Sequence, residues 1–277
     1  EYHDVIIERA GKDFHFGKSL FKSVRNYNID NLFYLGGGSG PLFNEEDFEK
    51  IFSFLIDSSD CLIANNFYST DMIGISNAKK ILKMKPPKKD NGLGWLAREA
   101  GLKPHEMTRN AKSQLDFDTP VDLLPLALSG RANGLLKNYL TEVDPGNTSI
   151  EETISQLVDQ QSRLVVAGRI GASTWSFLEK NSACQIDVIS EGRGSYRQNG
   201  DKASRSCWLG KSFKEYGPEN LIRCLGDKGT GILLDTRVLF NYMGDWPSRS
   251  DRFYSDLLNP ESISANYLRD LTRAALE

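Results

Sequence analysis

QLDFDTPVDLLPLAL, residues 114–128, sets a short apolar–polar alternation against a proline-broken apolar run. Asp116 and Asp118 close the alternation, Thr119-Pro120 interrupts it, and a helix is predicted to begin at once. Placing two carboxylates at the end of a buried strand is costly, because each must shed its hydration. Helix capping accounts for them in one way: Thr119 or Asp118 serves as N-cap, Pro120 suits the first turn and Asp122 complements the helix dipole. Metal ligation at the mouth of a nucleotide site accounts for them in another.

Upstream, strands and helices alternate. HDVIIERAG (3–11) reads as a strand and loop, KSLFKSVRNYN (18–28) as a helix, and NLFYLGGGSG (31–40) as a buried strand ending in glycines. NEEDFEKIFSFLIDSS (44–59) is the clearest helix, with Asn44 as cap, acids in its first turn and Phe/Ile at helical spacing. CLIANNFYSTDMIGIS (61–76) is one strand or two with a polar interruption. KPPKKDNG (85–92) is a surface loop, and LGWLAREAG (93–101) a short helix stopped by glycine. Such alternation predicts an α/β unit with a mostly parallel sheet and helices on both faces over residues 1–148.

Beyond the turn-rich DPGNTSIEE (144–152), a second, smaller α/β or α-rich unit is predicted over 149–277. RLVVAGRIG (163–171) and CQIDVISEGRG (184–194) are strands running into glycine turns, and STWSFLEKNS (173–182) is a helix. RQNGDKASRS (197–206) reads as a mobile loop. GILLDTRVLF (231–240) fits strand or helix, and 248–277 is helical.

The bulk numbers restrict the partners. A net charge of −3 gives no electrostatic reason for nucleic acid or an anionic membrane. LLPLAL and RLVVAG are too short to span a bilayer, and no leader of signal type opens the sequence, so a cytoplasmic location is expected. Cys61, Cys184, Cys207 and Cys224 are scattered without a C-x-x-C pair, and only His3, His15 and His105 accompany them. Reduced thiols are expected rather than structural zinc or a disulfide framework.

Four groups of residues are candidates for chemistry. The turn Gly36, Gly37, Gly38 and Ser39 ends a strand and precedes a capped helix, which suits backbone amides to a phosphate or simply makes a tight turn. Lys18 follows Gly17 at a helix start. Gly11 and Gly17 are separated by five residues where a P-loop needs four, so that motif is rejected, and Lys18 is left as a phosphate-facing lysine or a solvated one. Asp71 stands in an otherwise apolar setting after NNFYST. At the carboxyl edge of a sheet, Asp71 and Asp118 together would suit magnesium, which takes one or two hard oxygen ligands plus phosphate and water. In the second half Arg169, Arg193 and Arg237 lie beside glycine turns or acids, as oxyanion clamps or as loop-holding partners of aspartates.

LDFDTPVDL resembles the D-x-D-T-P-x-D-L element of the GT-A-like nucleotidyltransferases. That group holds molybdenum-cofactor guanylyl- and cytidylyltransferases, phospholactate guanylyltransferase and sugar-acid cytidylyltransferases. STDMI is similar to the Asp-Met-Pro turn that holds the catalytic magnesium there. The resemblance covers residues 1–130 and implies a Rossmann-like (GT-A-like) sheet. Asp71 and Asp118 take the acidic positions on magnesium, and a nucleoside triphosphate and a small-molecule acceptor are the partners. Residues 8–18, ERAGKDFHFGK, replace the family's L-A-G-G loop and its basic residues, and Ile73 stands where a proline is expected. A non-catalytic nucleotide- or phosphometabolite-binding protein on the same fold is the competing expectation.

Overall fold

The computed structural model describes residues 4–11, 13–132, 134–142, 149–192, 207–227 and 230–277. Arg193, the 197–206 segment and part of the 144–152 turn lie outside the described residues. The chain forms two compact units, Glu1–Asp118 with Gly130–Gly134, and Thr119–Ser129 with Leu135–Glu277. The division falls at Asp118–Thr119, well ahead of the polar stretch expected to mark it. No helix among the described residues is long and apolar enough to cross a membrane.

In the first unit α1 (Phe16–Asn26), β1 (Asn31–Leu35), α2 (Glu45–Asp57), β2 (Cys61–Ala64), β3 (Met72–Ser76), α3 (Leu93–Glu99), β4 (Lys103–Glu106) and α4 (Ala111–Gln114) follow in order. The strands form one sheet, β1-β3-β2-β4. Strands β1 and β2 both run antiparallel to β3, and only β2–β4 is parallel. The sheet is therefore mixed, not mostly parallel. The strand expected to be buried, β1, is a half-buried antiparallel edge strand.

The cause lies in Asn65. Its buried side chain accepts N–H bonds from Asp71 and Met72, both at 3.1 Å, and folds NNFYSTD into a hairpin loop between β2 and β3. Period-two alternation then distributes the core. Leu62, Ala64, Ile73 and Ile75 pack with Phe16, Leu20, Val24, Leu93 and Ala97. Phe33, Ile63 and Met72 pack with Ile51 and Leu55 of α2. That second helix is held by a complete capping box between Asn44 and Asp47, as its sequence predicts.

Two further expectations are corrected. Residues 4–11 carry no regular structure, and Val5 and Ile7 are exposed, so the described part of the expected strand and loop forms no strand. Residues 114–118 are not a buried strand either. Apart from one isolated bridge between Ser39 and Asp116 they pair with nothing in a sheet, and Asp118 is exposed. The alternation there is too short to outweigh the helical turn of α4, whose C-cap is Leu115.

The second unit contains α5 (Pro120–Ser129), α6 (Gly134–Glu142), α7 (Ser149–Leu157), β5 (Arg163–Gly168), α8 (Ala172–Asn181), β6 (Gln185–Ser190), α9 (Trp208–Leu225), β7 (Gly231–Leu234), α10 (Arg237–Met243), α11 (Arg249–Asp256) and α12 (Asn266–Ala274). Its three strands form a parallel sheet, β6-β5-β7. Val165 and Ala167 of the central strand pack with Leu209, Phe213, Val238, Phe240 and Leu268. GILLDTRVLF resolves into both alternatives: β7, a turn at Asp235-Thr236, then α10. The helix α9 breaks at Gly217, whose φ of 80° only glycine adopts readily, followed by Pro218.

Candidate functional site

In the first unit, the end of β1, the end of β2 and the start of β3 meet at one sheet edge. Gly36 N–H donates to the Asp71 carbonyl at 2.9 Å, and Asn65 Nδ2 donates to the Asp71 carboxylate at 3.2 Å. Ser39 Oγ donates to Asp116 at 2.6 Å, and Phe117 N–H to the Gly38 carbonyl at 3.1 Å. The glycine turn is thereby laced to Asp71 on one side and to residues 116–117 on the other.

Four aspartates act on one another here. Burial raises the Asp71 carboxyl to about 6; the Asn65 amide opposes the rise, and the charges of Asp116, Asp90 and Asp118 add to it. Asp90 accepts the Tyr34 hydroxyl at 2.8 Å. Burial, then that neighbouring charge, hold the phenol well above its ordinary range. The buried carboxylate that the sequence leads one to look for is therefore Asp71, and Asp118 is the exposed one.

The helix start at 119–122 accounts for its own cap. Thr119 N–H and Oγ both donate to the Asp122 carboxylate, at 2.9 and 3.1 Å, and Pro120 opens α5. Thr119 and Asp122 thus bond to each other across the first turn of α5.

The glycines divide. A Cβ on Gly38 would stand 2.5 Å from the Phe117 carbonyl, whereas one on Gly37 would meet nothing within 4 Å. Gly38 is bare because the chain passes over it; Gly37 is bare without a neighbour to require it. Gly17 belongs to the first kind, since a Cβ there would lie 2.5 Å from Pro87, whose carbonyl accepts the Gly17 N–H. Lys18 is exposed in the first turn of α1, behind the N-cap His15.

In the second unit the carboxyl ends of β5, β6 and β7 carry the predicted arginines. Arg169 donates to Asp235 at 3.1 Å, and Arg237 forms two bonds to the same carboxylate at 2.6 and 2.8 Å. The Arg237 and Arg169 guanidiniums outweigh burial and hold Asp235 below the usual carboxylate range. Gly168, with φ of 126°, lets Asp235 approach closely: a Cβ there would stand 2.5 Å from the Asp235 Cβ and 3.2 Å from its backbone. Glu191, after β6, accepts N–H bonds from Trp208 and Leu209 and the thiol of Cys207, closing the amino end of α9. Arg169 and Arg237 are thus brought together by an aspartate.

Sequence reasoning does not single out Asp90, Tyr34 or Asn65: Asp90 joins from a distant segment, while Tyr34 and Asn65 lie beside the glycine turn and Asp71 but carry no motif of their own. Asp256 is a further case: burial raises it to about 6 against a hydrogen bond from Thr119. The lone Asp of DMIGIS was the available signal for Asp71.

Comparison of the chain with protein-family models, with curated proteins and with solved structures gives no match.

The carboxylates offer hard oxygen donors without sulfur or imidazole. Among the described residues no group of three or more His, Cys, Asp or Glu side chains is arranged to hold a metal. Magnesium asks less: one or two carboxylates, with phosphate and water completing its shell.

Proposed function

We propose that the first unit is a magnesium-dependent nucleotidyltransferase that moves a nucleoside monophosphate onto a phosphorylated or carboxylated acceptor and releases pyrophosphate. The observation that carries this proposal is Asp71, a largely buried carboxyl pushed to about 6 with three other aspartates acting on it at one sheet edge. Such clustering is unfavourable for the isolated chain and becomes favourable when a cation shares the site. Magnesium there would neutralise charge on the phosphates during in-line displacement. Asp71, held by Asn65, and Asp118, exposed at the rim, are the two carboxylates that would hold it. Gly37 leaves its backbone open for phosphate oxygens. In the second unit Arg169 and Arg237 are engaged by Asp235, and no part in the transfer is assigned to them.

A binding protein without turnover is the second reading, and it has its own observation. Gly17 and Gly38 are occupied by packing, and Lys18 is exposed in the first turn of α1.

Asp118→Asn separates the two. The residue is exposed and Asn keeps its size and its hydrogen-bonding oxygen, so stability should stay within about 0.5 kcal/mol. Loss of a magnesium ligand should lower pyrophosphate release by at least ~100-fold, since the metal supplies several kcal/mol of transition-state stabilisation. Unchanged release, or none from the wild type with any nucleoside triphosphate across phosphorylated and carboxylated acceptors, favours the binding protein.

A further inference from the structure

The hairpin loop that ends in Asp71 also carries Tyr68, whose ring stacks on Trp95 of α3 with centroids 5.5 Å apart and planes 26° from parallel. The Arg98 guanidinium lies over Trp95, 5.5 Å from the ring centroid. Both rings are substantially exposed, 48% for Tyr68 and 38% for Trp95. Neither takes part in the core, although Phe67 beside them does.

The stack is held by polar bonds rather than burial. Tyr68 N–H donates to Asn66 Oδ1 at 3.0 Å, and Thr70 Oγ1 to the Asn66 carbonyl at 2.9 Å. Asn91 ties the two segments together, its carbonyl accepting Thr70 N–H at 3.3 Å and its Nδ2 reaching Ser69 at 3.1 Å. Gly94 N–H, in the first turn of α3, donates to Thr70 Oγ1 at 3.1 Å, and a Cβ on Gly94 would collide with that oxygen. The hairpin loop and the start of α3 are thus one preorganised body that displays two flat rings to solvent.

We propose that Tyr68 and Trp95 form the platform on which the nucleobase of a nucleoside triphosphate stacks. The inference rests on the transferase or nucleotide-binding assignment of the same unit and names the part of the ligand recognised. Three features favour a base over another apolar ligand. Offset stacking between rings accepts a further π-face without rearrangement, and a flat base of any identity supplies one. Arg98 adds a cation to the stack, and Lys88 and Lys89 are exposed in the segment that enters it, which suits a ligand whose other end is anionic. Tyr68 is three residues from Asp71, no more than ~11 Å of extended chain, so base and phosphates can be read by one loop.

The test uses the full chain as wild type, Tyr68→Ala, Tyr68→Leu, Trp95→Ala and Trp95→Phe. Calorimetric titrations with magnesium and each nucleoside triphosphate are compared with magnesium and inorganic tripolyphosphate, which has the phosphates and no base. The two alanine variants and Tyr68→Leu should weaken nucleoside triphosphate binding by roughly 5- to 150-fold. Trp95→Phe keeps a ring and should stay within a few-fold. Tripolyphosphate binding should be equal in all five proteins. Tyr68→Leu preserves apolar contact without a π-face, so its loss of affinity cannot be assigned to unfolding if its thermal melt matches the wild type. Equal affinity of the wild type for tripolyphosphate and nucleoside triphosphates overturns the platform and leaves the carboxylate site standing. So does undiminished binding by Tyr68→Leu and Trp95→Ala. Binding of free nucleosides that is lost in Tyr68→Leu, with no response to tripolyphosphate, keeps the platform and removes the transferase. No binding of any of these ligands removes both.

Discussion

Asp71 in the first unit and Asp235 in the second are both largely buried aspartates at the ends of sheets, and their surroundings push them in opposite directions. Asp235 has Arg169 and Arg237 against it and is held as a carboxylate. Asp71 has an amide and three other carboxylates, and its proton stays to about pH 6. One cluster is complete as it stands. The other has an electrostatic deficit that a cation would remove. Arginines beside glycine turns look like anion sites in sequence, yet here Arg169 and Arg237 hold a loop through Asp235, while Asp71 is the carboxyl raised by burial and by its acidic neighbours.

The contrast predicts a pH dependence, and this is the largest stability effect expected. An ordinary aspartate releases its proton near 3.8, but folded Asp71 keeps it to about 6, so the folded chain binds more protons in that interval and loses stability as pH rises through it. Asp71→Asn removes the effect. Its stability relative to wild type should grow by up to ~3 kcal/mol between pH 4 and 7, measured by urea unfolding at each pH. Using the difference cancels Asp256, which titrates in the same window. A flat difference would erase the contrast. Asp235 has the opposite sign: its contribution is present above the ordinary aspartate value and is lost as pH falls through its lowered one.

Asp235→Asn should cost about 2 kcal/mol at pH 7, because two guanidiniums lose a charged acceptor. The same unfolding experiment checks it. A neutral result would mean that the arginines find another anion, and the second cluster would then be as open as the first.

The smallest effects sharpen the glycine turn. Gly38→Ala forces a Cβ onto the Phe117 carbonyl and should destabilise by about 1–3 kcal/mol. Gly37→Ala meets nothing and should be neutral or stabilising by less than ~1 kcal/mol. If Gly37→Ala keeps its melting temperature but loses affinity for tripolyphosphate, its open backbone is the phosphate contact. If both properties are unchanged, the turn is structural throughout.

How much of this was legible varies with the range of the interaction. α2 was readable to within a residue or two because its signals, Asn44 and three acids, lie next to it. The glycine stop of α3 at Gly101 was readable for the same reason. Strand direction was not. Whether β1 runs with or against β3 depends on how the Asn65 clamp closes the hairpin, and in sequence those polar residues look like a ligand patch. Asp118 was noticed for a burial it does not have; Asp71 was noticed for its isolation, and that isolation is what the fold turns into a raised pKa. Asp90 arrives from a segment with no motif, 56 residues from Tyr34, so only the folded chain could bring the two together. Of the two readings open to Arg169 and Arg237 in sequence, the fold realises the pairing with an aspartate, Asp235.

The closure of α9 by Glu191 has a practical consequence for labelling. Burial raises the Cys207 thiol to about 11, and its bond to the Glu191 carboxylate keeps it protonated, so an alkylating reagent at neutral pH finds little thiolate there. Cys61 is buried. Cys224 is exposed and sits on the far side of the Gly217 break, near the carboxyl end of the same helix. With the half-buried Cys184 replaced by serine, a maleimide dye at Cys224 would therefore report on the second rod of α9 while the first stays unmarked.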